Sequence, residues 1–298
     1  MPSDSIRIQF NGTACFYVQY KESALLTDPF ITNPSFAKVS FGKIKSDTLL
    51  LNRLHPKVNN IKMLAIGHAH YDHILDLPYF AKKLNTDAVI LGSNNAVSMA
   101  KTLQLSNSCI NVVDLKATAT SSGTWVYASD SSMRIMAAQS AHLPHIFGIH
   151  LYHGEPKKSI TTFPVKGKQF LQDETLAYLI DFLDATQKPE KRIYFSSSAV
   201  SFPNGYFPKD VLNDKTVDIA IISTALFQKA KGYPKELIEY LQPKHTILCH
   251  WENFFKNREQ KLKFVSLTRH KKMFSALESL QSLTRFHYIK PGNSWGVK

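Results

Sequence analysis

The sequence has few cysteines, no long apolar run and no secretory start, and each absence argues against a class of protein. The three cysteines, Cys15, Cys109 and Cys249, are far apart and form no CxxC pair, which excludes a disulfide framework. No apolar run approaches the ~20 residues of a transmembrane helix. Residues 1–5 lack the basic and then apolar pattern of a secretory signal. We therefore expect a cytoplasmic protein, with a trimmed exported form left open.

Acidic residues are also scarce relative to basic ones. Asp and Glu total 23 against 36 Lys and Arg, which gives a formal net charge of +13. Such an excess favours an anionic partner, and we expect a small anionic substrate or a lipid headgroup. Solubility alone is the alternative explanation. The basic residues do not form a stripe interleaved with aromatic residues, which argues against nucleic acid as the partner. No pattern indicates an oligomeric state.

The length and the order of the apolar segments predict one domain over residues 1–298. A chain of 298 residues with 44% hydrophobic content can bury a sizeable core, and no low-complexity tract or linker divides it. Each half begins with strands and continues with alternating strands and helices, which predicts an α/β protein with two sheets flanked by helices. Two excursions interrupt this pattern. Residues 31–60 are predicted to be a long loop with a short helix, either a lid or a packed insertion, and residues 154–173 a polar, basic loop.

Three local predictions concern the surroundings of the candidate site. Residues 75–84 have helical periodicity. Asn94 or Asn95 is expected to cap a helix that ends near Leu103. Residues 149–152 are predicted to form a strand.

One short stretch, residues 67–73, concentrates ligand-type side chains. It carries His68, His70, Asp72 and His73 directly after the apolar run 61–66. A strand that ends at Gly67 would place these side chains in one turn. Imidazole and carboxylate groups are ligands of zinc and similar divalent ions. The alternative is a solvated polar turn, but the density of ligand-type residues at a strand end favours a metal site.

Two further histidines occupy the same kind of position. His142 and His250 each lie just beyond an apolar strand, as His68 does. Loops that follow strand ends converge at one edge of a sheet, where α/β proteins place their functional sites. A lone histidine in such a place is commonly structural, but two of them in a chain that also contains residues 67–73 are candidate ligands. Cys249 precedes His250 on a strand, so its side chain should point into the core.

The motif HxHxDH, present as residues 68–73, resembles the signature of the metallo-β-lactamase-fold hydrolases. The strand 25–27 followed by Asp28 resembles the early strand of that superfamily, and His142 and His250 resemble its later metal histidines. Residues 11–14 and His250-Trp251 resemble more loosely the branch that contains ascorbate-6-phosphate lactonase and N-acylphosphatidylethanolamine phospholipase D. The resemblance implies a four-layer αββα sandwich of two mixed sheets, with one or two divalent ions, zinc first and manganese or iron as alternatives.

The resemblance also implies a role for each candidate residue. The two ion sites would consist of His68, His70 and His142, and of Asp72, His73 and His250. Asp28 would orient one of the ligands. The family places a bridging aspartate after a strand of the form Tyr-x-Gly-Asp-Ser/Thr, but here residues 194–198 place Ser197 at that position. Loss of this carboxylate leaves less negative charge to offset two dications, so we expect a weaker second ion or a centre bridged by hydroxide.

The implied activity is metal-assisted hydrolysis of an ester-like bond, a phosphodiester or a lactone, in an anionic substrate. Asp72 is a candidate to accept the proton of the attacking water. His145 is a candidate to bind substrate or to protonate the leaving group, and a surface histidine is the alternative. His150 and His153 are interpreted as structural. Two other functions remain open: a degenerate member that binds a ligand or partner without catalysis, and a nucleic-acid-processing hydrolase.

Overall fold

The computed structural model of the chain describes residues 4–54, 56–144, 151–256 and 259–297. Short apolar strands of the first half pair into one sheet. Its first six strands are β1 (Ile6–Gly12), β2 (Cys15–Tyr20), β3 (Ser23–Thr27), β4 (Ile61–Ala65), β5 (Val89–Gly92) and β6 (Ser108–Asn111). The first three pair antiparallel through tight turns. Strands β3 to β6 pair in parallel, which requires a crossover between each pair.

The second half repeats this plan. Its strands are β7 (Val126–Tyr127), β8 (Met133–Ser140), β9 (Thr175–Leu183), β10 (Pro189–Ser196), β11 (Ile219–Ser223), β12 (His245–Cys249) and β13 (Arg285–His287). Strands β7 to β10 pair antiparallel and β10 to β13 pair in parallel. A last strand, β14 (Ser294–Val297), returns to the first sheet and pairs with β1. Each sheet therefore has seven strands.

Helices cover the outer faces of the two sheets. The α-helices are α1 (Phe36–Phe41), α2 (Thr48–Leu54), α3 (Tyr71–Ile74), α4 (Leu77–Ala81), α5 (Asn94–Lys101), α6 (Lys209–Asn213), α7 (Lys235–Leu241) and α8 (His270–Glu278). Short 3-10 helices span Val113–Leu115, Gly167–Gln169 and Phe227–Lys229. None of the described helices is long and apolar enough to cross a membrane.

Side chains alternate between the two faces of each strand, and this alternation produces two separate apolar cores. Leu25 of β3 belongs to the cluster that joins the two sheets, whereas its neighbour Leu26 packs with the helices outside the first sheet. Successive side chains of a strand point to opposite faces, so one short strand supplies both cores. The predicted α/β class and four-layer αββα sandwich are therefore confirmed.

Two predicted segments differ in detail from the structure. The excursion at residues 31–60 contains two helices, α1 and α2, rather than one. A helix is confirmed within residues 75–84, where α4 spans Leu77–Ala81, and a separate short helix that was not predicted, α3, ends just before this range at Ile74. Pro78, in the first turn of α4, has no N–H to donate to the carbonyl of residue 74, so a continuous helix would lose a hydrogen bond there.

Two further local predictions are also corrected. Ser93, rather than Asn94 or Asn95, caps α5, and its side-chain oxygen accepts from the backbone N–H of Ala96 at 3.5 Å. The strand predicted over residues 149–152 is wrong in its described part, because residues 151–152 form a turn. Residues 149 and 150 lie outside the described residues. The excursion at 154–173 has, as predicted, no α-helix or strand among its residues.

Candidate metal centre

The candidate ligands lie on loops that follow strand ends at one edge of the two sheets. Strand β4 ends two residues before Gly67, and His68 follows directly. His70 is the residue before α3, and the short helix then carries Asp72 and His73. His142 follows β8 and His250 follows β12, both in the second sheet. The chain therefore brings four groups from the first sheet to two groups from the second.

These six side chains form two adjoining triads. In the first, the ligand atoms of His68, His70 and His142 lie within 4.8 Å of one another. In the second, the same limit holds for Asp72, His73 and His250. Asp72 Oδ2 lies 3.6 Å from His73 Nε2 and 3.5 Å from His250 Nε2. The ring centroids of His68 and His73 are 3.8 Å apart, so the triads touch.

The donor set fits a divalent ion. His68 is 1% exposed, and its Nε2 is buried with no hydrogen-bond partner. A buried polar atom without a partner destabilises a protein unless something binds it. Three imidazoles form one triad, and two imidazoles with a carboxylate form the other, which suits zinc, manganese or iron.

Burial and neighbouring charges prepare these groups for a cation. Burial lowers the pKa of His68 well below its ordinary value, and the neighbouring histidines lower it further. Its ring is therefore neutral and keeps a lone pair. Burial alone would raise the pKa of Asp72, but His73 and His250 outweigh burial and hold that pKa below its ordinary value. Asp72 is therefore a carboxylate.

Asp28 connects the turn to the second triad. It follows β3 and has a left-handed backbone conformation, with φ of 34°. Its Oδ2 accepts a hydrogen bond from His73 Nδ1 at 2.7 Å, and its Oδ1 accepts one from the backbone N–H of Gly67 at 2.6 Å. The hydrogen bond from His73 Nδ1 to Asp28 fixes the His73 ring with its Nε2 towards Asp72. Left-handed conformations in non-glycine residues store strain and occur often at functional sites.

Ser197 and Gly67 occupy the space between Asp28 and His68. The Oγ of Ser197 lies 3.4 Å from His68 Nδ1. A Cβ added at Gly67 would overlap Ser197 Oγ and lie 3.2 Å from Asp28 Oδ2, so only glycine fits there. The position at which the sequence resemblance expects a bridging carboxylate therefore holds a hydroxyl.

Two residues to which the sequence analysis assigned no role at the site support His250. His250 has a φ of 56°, and its backbone N–H donates to the carbonyl of Thr13 at 2.6 Å. The backbone N–H of Thr13 donates in turn to Oε1 of Glu252. The family resemblance of residues 11–14 marked this loop, but no local pattern showed that it contacts a loop more than two hundred residues later.

Tyr71 was also missed as a polar group of the site. Its side chain is 6% exposed, its hydroxyl has no hydrogen-bond partner, and burial raises its pKa well above the ordinary value. Tyr71 occupies a variable position of the motif HxHxDH, so the motif itself assigns it no role. The structure shows a buried donor beside Asp72.

The remaining candidates have less contact with the triads. His145 and His150 lie outside the described residues, so the role of His145 stays a prediction. His153 is exposed, with its Nδ1 3.4 Å from Gln172 Oε1. Cys249 is fully buried and burial raises the pKa of its thiol, as expected of a core residue.

Comparisons with known proteins agree with this geometry. Residues 8–109 match the metallo-beta-lactamase superfamily. A UPF0173 metal-dependent hydrolase of Staphylococcus aureus (strain MRSA252) is 25% identical over 163 residues, which are 55% of this chain and 60% of that protein. The matches span between 32% and 60% of the length of such curated relatives.

Two solved structures cover almost the whole chain. Igni18, a metallo hydrolase from the archaeon Ignicoccus hospitalis, has a TM-score of 0.58 at 14% identity over 99% of both chains. The metallo-beta-lactamase fold protein YhfI of Bacillus subtilis has a TM-score of 0.55 at 10% identity over 99% of this chain and 100% of its own. At these identities the similarity shows the fold alone.

Proposed function

We propose that this chain, which has the metallo-β-lactamase fold and matches that superfamily over residues 8–109, is a metal-dependent hydrolase. The observation that carries the proposal is the pair of touching triads with an unpartnered, buried His68 Nε2. An ester-like bond in an anionic substrate, a phosphodiester or a lactone, is the proposed target. The formal net charge of +13 supports an anionic small molecule or a lipid headgroup.

Each triad would hold one divalent ion, with zinc as the first choice and manganese or iron as alternatives. The ligands of the two ions would be His68, His70 and His142, and Asp72, His73 and His250. A bound ion supplies a Lewis acid and lowers the pKa of water towards ~7.

The protein's own side chains would prepare and assist the attack. Asp72 is ionised and buried among histidines, so a free oxygen of its carboxylate would accept a proton from the attacking water. Asp28 holds the His73 ring in one orientation. His145 would hydrogen-bond the substrate or protonate the leaving group. Burial of five of the six candidate ligands limits the access of bulk water and strengthens electrostatic interactions within the site.

The first test combines metal content with activity. Elemental analysis of the purified protein should find at least one divalent ion per chain. Hydrolysis of bis(p-nitrophenyl) phosphate or of a simple lactone should stop with chelator and return with zinc or manganese. The variant His68→Ala should lose both metal and activity, whereas His153→Ala, an exposed histidine outside the triads, should lose neither. A metal-free parent whose activity survives in His68→Ala would refute the proposal.

Ser197 favours a second candidate, a protein that binds its ligand without catalysis. With a hydroxyl in place of the bridging carboxylate, the second ion would be held less tightly. Ser197→Asp discriminates between the candidates, with Ser197→Asn as a control of the same size without the charge. A higher content of the second metal and a faster rate in the aspartate variant alone would indicate a weakened enzyme. A higher content of the second metal in the aspartate variant without any hydrolysis would indicate a binding protein.

A further inference from the structure

A large open cavity lies beside the candidate metal centre. Its volume is about 680 Å³, and its walls come from the 31–60 excursion and from the segment around Phe255. The Phe255 ring packs at 4.6 Å from Phe254, whose ring lies 5.0 Å from His250. Two aromatic rings therefore separate this cavity from the second triad. Its volume lies within the range of small-molecule sites.

The cavity wall is strongly positive. Lys38, Lys43, Lys45 and Lys256 line it. Within residues 4–54, 56–144, 151–256 and 259–297, none of these four ammonium groups forms an ion pair. The one acidic residue on the wall, Asp47, accepts from the backbone N–H of Leu50 at 3.0 Å and so caps α2. The wall therefore has a surplus of positive charge that an anion would offset.

A buried amide at the cavity gives an independent sign of a ligand. Asn33 lines the cavity and is only 4% exposed, with a left-handed φ of 47°. Its Nδ2 donates to the carbonyl of Lys256 at 3.1 Å, which fixes the amide, while its buried Oδ1 has no donor. Buried polar atoms without a partner are rare in native proteins. A ligand that offers both a negative charge and a hydroxyl would satisfy the lysines and this oxygen together.

We propose that this cavity binds a phosphate group of the substrate that is separate from the bond cleaved at the metal centre. The inference rests on the proposed function, because it makes the cavity the anion-recognising part of the same site. Lysine binds phosphate as a point charge, and a phosphate hydroxyl or a neighbouring alcohol supplies the donor for Asn33. Phe41 and Leu49 are 90% and 80% exposed on the same excursion, so the phosphate belongs either to a lipid headgroup or to a soluble ester.

Calorimetric titration with inorganic phosphate tests the site. The double variant Lys43→Ala/Lys45→Ala removes two cavity charges. The control, Lys188→Ala/Lys235→Ala, removes two exposed lysines outside the cavity wall. The parent and the control should bind phosphate equally, and the cavity variant roughly tenfold or more weakly, from the loss of two nearby charges. Equal binding by all three proteins, or no binding by the parent, would overturn the proposal.

A second variant separates this proposal from the proposed hydrolysis. His68→Ala lies in the first triad and should keep its phosphate affinity in the cavity. If His68→Ala loses phosphate binding, the phosphate was held at the metal centre and the cavity proposal fails. If the parent contains no metal and hydrolyses nothing, but phosphate binding still depends on Lys43 and Lys45, the proposed function fails and the cavity site stands.

Vesicles then identify the source of the phosphate. Sedimentation with vesicles of phosphatidylglycerol in phosphatidylcholine is compared with sedimentation with phosphatidylcholine alone. Binding to the anionic vesicles that is lost in Lys43→Ala/Lys45→Ala and weakened in Phe41→Ser/Leu49→Ser assigns the site to a lipid headgroup. Phosphate binding without vesicle binding assigns it to a soluble ester.

Discussion

The substitution Asp28→Asn isolates the contribution of one buried carboxylate to the candidate metal centre. Asp28 is fully buried, and its two oxygens accept from two different donors, His73 Nδ1 and the backbone N–H of Gly67. Asparagine has the same shape and tolerates the left-handed backbone of this position. However, its amide has one oxygen and one NH2 group, so either the Gly67 N–H faces another donor or His73 Nδ1 becomes the acceptor, which places the ring proton on Nε2, the atom that faces Asp72.

The expected losses of stability and of metal affinity follow from the loss of one acceptor oxygen at this position. Loss of one hydrogen bond to a charged, buried acceptor should lower the free energy of unfolding of the metal-free protein by about 2 kcal/mol. Partners that orient metal-binding histidines typically change metal affinity by about 10- to 100-fold when they are mutated. At a fixed excess of zinc, the added stability from zinc should then fall by about 1.4 to 2.7 kcal/mol relative to the parent.

Urea unfolding with and without zinc separates the two effects. Asp76→Asn is the matched control, because Asp76 is also fully buried and accepts from Ile31 N, Thr32 N and Thr32 Oγ1 at 2.6 to 2.8 Å. It touches none of the candidate ligands through these bonds. The control should lose a similar amount of stability in the metal-free state and keep the full stabilisation by zinc.

Two results would refute the reasoning. If Asp28→Asn retains the same gain of stability from zinc as the parent, Asp28 does not orient a metal ligand. If Asp76→Asn loses that gain to the same extent, the effect of Asp28→Asn reflects general loosening of the fold rather than the orientation of His73.

Three further substitutions test other parts of the structure. Gly67→Ala should lower the free energy of unfolding by about 1–3 kcal/mol because its Cβ would overlap Ser197 Oγ. In calorimetry, the double variant Gly67→Ala/Ser197→Gly should recover part of this stability. If the stability losses of the two single variants simply add in the double variant, the contact is contradicted. Tyr71→Phe should leave urea stability unchanged or higher, since it removes a buried hydroxyl without a partner, and a loss above about 1 kcal/mol would reveal a missed bond. Burial raises the pKa of Asp218, but two lysine ammonium groups outweigh burial and hold that pKa below the ordinary 3.8. The stability that this carboxylate contributes is therefore present at neutral pH and lost as the pH falls below about 4. Asp218→Asn should be less stable by about 2 kcal/mol at pH 7 and should lose less on acidification, whereas parallel pH profiles for parent and variant would contradict this.

The candidate ligands of the centre could be found from the sequence because their signals are local. Four of them stand in residues 68–73 after one apolar strand, and His142 and His250 each follow another. Strand ends can be read from apolar runs, and parallel strands bring their ends to one edge. The layer order follows in the same way from the alternation of strands and helices.

Contacts between distant loops could not be found in this way. The support of His250 by Thr13 and Glu252 depends on how the first sheet meets the second, which no single segment encodes. The short helix α3 was not predicted, because its four residues are too few for helical periodicity to show. The cavity lysines were visible as charge, but the sequence did not show that they share a wall with the buried amide of Asn33.

The origin of the six candidate ligands has a consequence for how the molecule holds together. Each triad takes two side chains from the turn after β4 in the first sheet and its third from a loop of the second sheet. An ion in either triad would therefore be a bond between the sheets rather than within one of them. Separation of the sheets along this edge would break both sites at once. The free energy of metal binding would therefore stabilise the packing of the two sheets against each other. Hydrogen exchange at the ends of β8 and β12 should consequently slow when metal is added, although neither strand contributes a ligand of its own.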